Sequence, residues 1–178
     1  MHALSNSQPV ASPAGVVELH SHRPEETRQL GVRLGQLLQP GDVVLLHGTL
    51  GAGKTAFTQG VGEGLGVGET INSPTFTLLK EYAGKMPFYH FDLYRIEDAD
   101  ELYMLGFEDY FAGEGVSVVE WAERGEAPDG EALWSGGWLR IRIEQAGAEE
   151  RQLRCTAQGT RAQALLAAFA QTIGGEEA

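Results

Sequence analysis

Residues Gly48 to Thr55 read Gly-Thr-Leu-Gly-Ala-Gly-Lys-Thr, which satisfies the phosphate-loop pattern G-x-x-x-x-G-K-[ST]. The apolar run Val43 to Leu46 directly precedes it and a helix-compatible stretch directly follows. A strand, a glycine-rich turn and a helix in that order are the context this chemistry needs. The glycines let successive backbone N–H groups point inward around phosphate oxygens, and the next helix adds its positive end. In that frame Gly48, Gly51, Ala52, Gly53, Lys54, Thr55 and Ala56 are the candidate nucleotide contacts. Lys54 reaches the β- and γ-phosphates as a point charge, and the Thr55 hydroxyl ligates Mg²⁺. The competing reading is a glycine-rich turn with no ligand; motif and context together favour a nucleoside triphosphate.

A phosphate loop also needs a carboxylate to manage its metal, usually at the C-terminal end of a neighbouring apolar strand. Two acids compete. Glu120 ends the apolar run Val116-Ser117-Val118-Val119, and Asp92 ends the more aromatic run Phe88-Tyr89-His90-Phe91. One or both face Mg²⁺, one of them through water. The segment Ser73-Pro74-Thr75-Phe76 reads either as a switch that senses the γ-phosphate or as a proline turn into a strand. Trp121, beside Glu120, is core packing or a reporter of nucleotide and partner. His47 and His90 read as structural, since neither has metal-ligand spacing to another His or Cys.

The elements that must hold these groups follow from periodicity. Val16 to Leu19 predicts a short strand, and Pro24 with Glu25 and Glu26 starts a helix whose apolar stripe is Leu30, Leu34, Leu37 and Leu38. Pro40-Gly41-Asp42 turns the chain into the strand at Val43. A helix is expected from about Lys54 to Leu65, and the glycines between Gly60 and Gly68 are expected to end it in a flexible connection. Their spacing and their place after a helix exclude a dinucleotide fingerprint. Phe76 to Tyr82 and Phe88 to Phe91 read as strands joined through Gly84, and Asp98 to Phe111 as helical or irregular. Leu139, Ile141 and Ile143 alternate with charged residues as a half-buried strand, paired with a second strand from Arg151 to Ala157. A closing helix carries Ala162, Leu165, Leu166, Phe169 and Ile173 on one face. Crossover helices mixed with hairpins predict an α/β, P-loop NTPase-like sandwich with a mixed parallel and antiparallel sheet.

Composition narrows the partners. The 178 residues fit one domain, 16–178, after a disordered tail at 1–15 rich in Ser, Asn, Pro and Ala. A net charge of -12 opposes unaided docking on nucleic acid, though not on a protein that carries RNA. The single Cys155 excludes a disulfide framework and a cysteine-based zinc site. No apolar run approaches the roughly 20 residues of a membrane span, and the first residues lack a signal-peptide core, so a cytoplasmic protein is expected.

The four blocks Gly48 to Thr55, Ser73 to Leu78, His90 to Arg95 and Val119 to Trp121, with Thr27, Leu30 and Gly31 before them, closely resemble the bacterial TsaE (YjeE) family. The likeness covers roughly Val16 to Gln145. It implies a P-loop ATPase of tRNA threonylcarbamoyladenosine biosynthesis that assembles with the TsaB and TsaD subunits. TsaD transfers the threonylcarbamoyl group to N6 of adenosine 37 in tRNAs reading codons that begin with A, and tRNA is met through the complex. Carried over by motif, Gly51 to Ala56 bind phosphates, and Thr55 and Glu120 bind Mg²⁺. Asp92 positions water or stands behind the metal, Trp121 belongs to an essential Glu-Trp pair, and His22 to Pro24 border the adenine. The family usually has an acid where this chain has Thr49, so its task passes to Thr49, Asp92 or Thr75 and hydrolysis is expected to be slow. Two other readings stay open: a nucleotide-gated binding module with incidental turnover, and a small-molecule kinase. No arginine-rich lid between Glu97 and Gly137 supports the kinase, and no Asn-Lys-x-Asp-like segment supports GTP.

Overall fold

Alternation and apolar runs become a single eight-stranded sheet in a computed structural model, which describes residues 10–11, 15–74, 76–126 and 134–174. In chain order the elements are β1 (Val10–Ala11), β2 (Val17–Ser21), α1 (Pro24–Leu37), β3 (Val43–His47), α2 (Lys54–Gly64), β4 (Leu79–Ala83) and β5 (Pro87–Asp92). Then come α3 (Asp100–Leu105), α4 (Phe107–Phe111), β6 (Val116–Glu120), a 3₁₀ turn (Ala122–Gly125), β7 (Trp138–Gln145), β8 (Arg151–Gln158) and α5 (Thr160–Gly174). The strand order is β1-β2-β8-β7-β3-β6-β5-β4. Pairs β7–β3, β3–β6 and β6–β5 are parallel, and the remaining neighbours are antiparallel, so the expected mixed sheet is found. Val10 and Ala11, inside the span read as a tail, pair with the outer edge of β2.

The strand β3 is central, and all five of its residues are buried. Val44 and Leu46 pack with Leu34, Phe57, Val61 and Phe169 beneath α1, α2 and α5. Val43 and Leu45 pack on the opposite face with Phe91, Phe107 and Phe111. Burial on both faces is why this strand reads as an unbroken apolar run rather than as an alternation. The three parallel strands β3, β6 and β5 end side by side, with Leu46 opposite Glu120 and Glu120 opposite Asp92. The carboxyl ends of such strands are where an α/β sheet holds ligands.

Two expectations need correction. The glycines after Ala56 do not form a flexible connection, because Gly60, Gly62 and Gly64 lie inside α2. Gly60 and Gly64 let α2 meet α1 backbone to backbone, while Gly62 leaves room for the Ile71 side chain. A Cβ on Gly60 would stand 1.9 Å from the Arg28 carbonyl oxygen, and one on Gly31 would stand 2.1 Å from that of Phe57. Gly35 and Gly64 face the other helix in the same way, each with a carbonyl oxygen at 2.3 Å. The helix ends at Gly64 with Leu65 as its cap, and the chain turns away at Gly66, whose φ is 77°.

The strand expected from Phe76 begins instead at Leu79. Its partner β5 ends at Asp92, and the pairing runs out at Leu79–Phe91. The preceding residues fold into a turn, with the Leu78 N–H donating to the Pro74 carbonyl at 2.9 Å and Leu78 itself at φ 64°. Phe76 is left 82% exposed.

Candidate functional site

Leaving β3, the chain must turn sharply to begin α2, and Gly48, Gly51 and Gly53 do so at φ 152°, 76° and 106°. A side chain at Gly48 would meet the Ile143 carbonyl at 2.5 Å, so close strand packing, as well as the turn, demands glycine there. Ala52 is buried and its N–H closes the loop on the Thr49 carbonyl at 3.1 Å. Thr55 and Ala56, in the first turn of α2, are partly exposed on the loop side. The Lys54 ammonium lies inside the loop, donating to the carbonyls of Gly48 at 2.5 Å and Thr49 at 2.8 Å. Burial lowers its pKa, while the carboxylates of Glu123, Glu120 and Asp92 pull it back up. A cation so placed is satisfied by two backbone oxygens that an incoming phosphate would replace.

The two competing acids both arrive at this loop. Glu120 accepts a hydrogen bond from the Thr55 hydroxyl at 2.9 Å through one oxygen, and its other oxygen contacts His90 Nε2. Asp92 accepts from the Tyr94 N–H at 2.9 Å and from the Ser73 hydroxyl. Glu120 is therefore the acid in direct contact with the loop's hydroxyl, and Asp92 is the acid that ties the Ser73 segment to the same strand row. Thr75 lies outside the described residues.

Thr55 and Glu120 place two hard oxygen donors side by side, which suits Mg²⁺. No group of three His, Cys, Asp or Glu is arranged to hold an ion among the described residues. Mg²⁺ takes only one or two protein carboxylates and completes its shell with phosphate oxygens and water, so this donor set fits it. Thr55 and Glu120 would hold the ion, which would supply charge neutralisation on the phosphates.

Trp121 follows Glu120 in the left-handed region at φ 56°, a conformation that costs a non-glycine residue about 1–2 kcal/mol. Its ring lies 3.9 Å from Lys54 Nζ, with the Tyr94 ring at 4.9 Å and the Arg124 guanidinium at 5.7 Å. Strain of this kind persists only where surrounding contacts over-determine it. Trp121 thus covers the Lys54 ammonium rather than merely filling core.

Two groups at the site escaped the sequence reading. His90 is fully buried and touches the Glu120 carboxylate, so it orients that acid instead of packing passively. Glu123, on the 3₁₀ turn after Trp121, is foremost among the carboxylates acting on Lys54. Burial raises the Glu123 pKa against the pull of the Gly48 amide and Lys54. His47 Nδ1 is 3.5 Å from Glu123, yet burial and the nearby Arg140, Arg142 and Lys54 charges lower its pKa to about 4. His47 is therefore neutral near neutrality, and its contact with Glu123 is no ion pair. His22, expected near the adenine, donates its backbone N–H to Glu26 at 2.7 Å at the start of α1.

The chain is similar to known proteins. The family model described as "Threonylcarbamoyl adenosine biosynthesis protein TsaE" matches residues 21–153, a span that holds the phosphate loop, Asp92 and Glu120. The chain belongs to the TsaE family. The tRNA threonylcarbamoyladenosine biosynthesis protein TsaE of Bacillus subtilis is 47% identical over 139 residues, covering 78% of this chain and 84% of that protein. The protein of the same description from Treponema pallidum is 44% identical over 104 residues, 58% of this chain and 77% of its own. The crystal structure of Bacillus subtilis YdiB superposes with a TM-score of 0.71 at 37% identity, covering 88% of this chain and 95% of that one. The TsaE family serves tRNA threonylcarbamoyladenosine biosynthesis, and the α/β fold with its mixed sheet is that of this neighbour. No helix among the described residues is long and apolar enough to cross a membrane.

Proposed function

We propose that this TsaE-family chain is a cytoplasmic, Mg²⁺-dependent ATPase that supports a TsaB–TsaD complex in forming threonylcarbamoyladenosine at position 37 of tRNA. The observation that carries the reading is the phosphate loop, with Thr55 hydrogen-bonded to Glu120 at 2.9 Å and Asp92 opposite Glu120 on the next strand. Lys54 would leave the Gly48 and Thr49 carbonyls to meet the β- and γ-phosphates. Mg²⁺ would offset their charge, held by Thr55 and Glu120. His90 keeps the Glu120 carboxylate in place, and Ser73 and the Tyr94 amide hold that of Asp92, which is then free only to orient water. Little covalent work is asked of the protein in phosphoryl transfer to water, so positioning and charge carry it.

The second reading, a nucleotide-gated binding module, is favoured by one feature. The Trp121 ring contacts both Lys54 and, at a tilt of 51°, Tyr94, and apolar side chains are exposed at Leu50 in the loop and at Tyr94 beyond β5. Any nucleotide that draws Lys54 away releases Trp121 and alters the surface offered to a partner. Phosphate release, measured with Mg²⁺ and ATP for the protein alone, with tRNA, and with TsaB and TsaD, separates the readings. Slow turnover alone, raised by the protein pair and lost in Lys54→Ala, is expected. Fast turnover alone, or stimulation by tRNA without either protein, would count against the accessory role. Binding of ATP that the pair enhances with no gain in turnover would favour the module.

A further inference from the structure

The outer side of the phosphate loop is held by a residue from the far end of the chain. Arg151 opens β8, opposite Ser21 on β2 and Gln145 on β7. Its Nε donates to the Ala52 carbonyl at 3.0 Å and one terminal nitrogen donates to the Gly51 carbonyl at 3.2 Å. The other terminal nitrogen donates to the Glu150 carbonyl at 2.9 Å, with longer approaches to the carbonyls of Gly147 at 3.4 Å and Ala148 at 3.5 Å. One guanidinium thus joins the β7–β8 turn to the loop across about a hundred residues of sequence. No carboxylate lies within ion-pair distance of it among the described residues.

The choice of acceptors matters because a peptide unit is planar and trans, so its C=O and the following N–H point in opposite directions. The carbonyls of Gly51 and Ala52 share peptide units with the N–H groups of Ala52 and Gly53. The Ala52 N–H is bound to the Thr49 carbonyl. Holding the Ala52 carbonyl outward aims the Gly53 N–H into the loop, at the residue that caps α2 with φ 106°. A methyl of Thr27 stands 3.5 Å from where a Gly53 Cβ would be, and Arg151 Nε stands at 4.0 Å, so the two side chains border that glycine. A cation on these oxygens also polarises the same peptide units and strengthens their N–H groups as donors.

We propose that Arg151 is a positioning residue of the phosphate site: its guanidinium fixes the peptide units at 51–53 so that the Gly53 amide and the start of α2 are set for phosphate before any arrives. The proposal rests on the phosphate-loop reading above. A residue that only clipped the hairpin would have no need of the two loop carbonyls, since the turn already supplies three acceptors.

The test uses the full chain with Arg151→Ala and Arg151→Lys, and Mg²⁺–ADP as probe. Three quantities are read: ADP affinity by calorimetry, melting temperature, and exchange of the Ala52 amide in nucleotide-free protein. Arg151→Ala should weaken ADP about tenfold, the effect of losing charge-assisted hydrogen bonds that order the site. It should also speed Ala52 exchange. Arg151→Lys should recover part of both, because an ammonium reaches one carbonyl but not the pair. If the alanine variant fails to fold, the lysine variant carries the test, with weakened ADP at an unchanged melting temperature supporting it. A fall in melting temperature with ADP affinity and Ala52 exchange unchanged would overturn the proposal and leave Arg151 as a hairpin clip. Wild-type protein that binds no ADP would remove the phosphate-loop reading instead, and the exchange measurement would still decide the role of Arg151.

Discussion

Substituting Glu120 and Asp92 separately asks which of two neighbouring carboxylates faces the metal. Both end adjacent parallel strands, and both are buried, at 2% and 5% exposure, yet their partners differ. Glu120 bonds the Thr55 hydroxyl at 2.9 Å and contacts His90, whereas Asp92 is engaged by Ser73 and the Tyr94 N–H at 2.9 Å. Glu120→Gln keeps the size and one acceptor but removes the charge that would oppose Mg²⁺. Losing one charge-assisted contact corresponds to about 1.5–3 kcal/mol, or roughly tenfold to a hundredfold in the Mg²⁺ concentration needed. Asp92→Asn retains an oxygen for the Tyr94 amide, and an acid behind the metal mainly orients water, so its shift should be no more than about tenfold. The assay titrates Mg²⁺ at fixed ATP and follows Trp121 fluorescence, whose ring lies 3.9 Å from Lys54 Nζ. A melting curve for each variant guards against misfolding. Equal shifts would mean that the carboxylates share the ion, and a larger shift for Asp92→Asn would move the metal from Glu120 to Asp92.

Gly60→Ala should destabilise the fold without touching a ligand, because its Cβ would lie 1.9 Å from the Arg28 carbonyl oxygen. Overpacking of this kind costs about 1–3 kcal/mol, a fall of roughly 3–10 °C in a domain of this size, and a melting temperature equal to wild type would deny the close helix crossing. Acidification should weaken the protein through His47, whose pKa falls from 6.5 unfolded to about 4 folded. The unfolded chain then takes up the proton first, so this contribution is complete above the unfolded value and is lost as pH falls from there towards 4. Between about pH 7 and about pH 5 it amounts to at most ~2 kcal/mol. Glu123 and Glu126, whose pKa values are raised by burial, act in the opposite sense: their contribution is present at low pH and lost as pH rises through the folded value. His47→Gln should therefore flatten the fall in melting temperature between these two pH values. An unaltered slope would show that another group sets it.

How much of this was legible in the sequence depended on whether a residue's role was local. The phosphate loop was, since glycine, lysine and threonine at fixed offsets carry their own geometry. The central strand was too, because burial on both faces leaves the continuous run Val43 to Leu46. Strand limits were less so: apolar residues at Phe76 and Leu78 look like strand, but the end of the partner at Asp92 decides where pairing starts. The glycines of α2 misled for a related reason. A glycine that frees the backbone and a glycine that admits another helix are the same letter, and only the facing Gly31 and Gly35 on α1 distinguish them. His90 looked like any strand histidine until β5 and β6 were in register and its ring met Glu120. Arg151 had no local signature at all, being separated from Ala52 by 99 positions. The motif therefore names the candidate atoms for phosphate, while the residues that contact the loop and its acids from outside the motif come from the two strands and the hairpin that the fold brings alongside. Substitutions in that outer layer should alter how well the loop is formed, and substitutions in the motif should alter what it can bind.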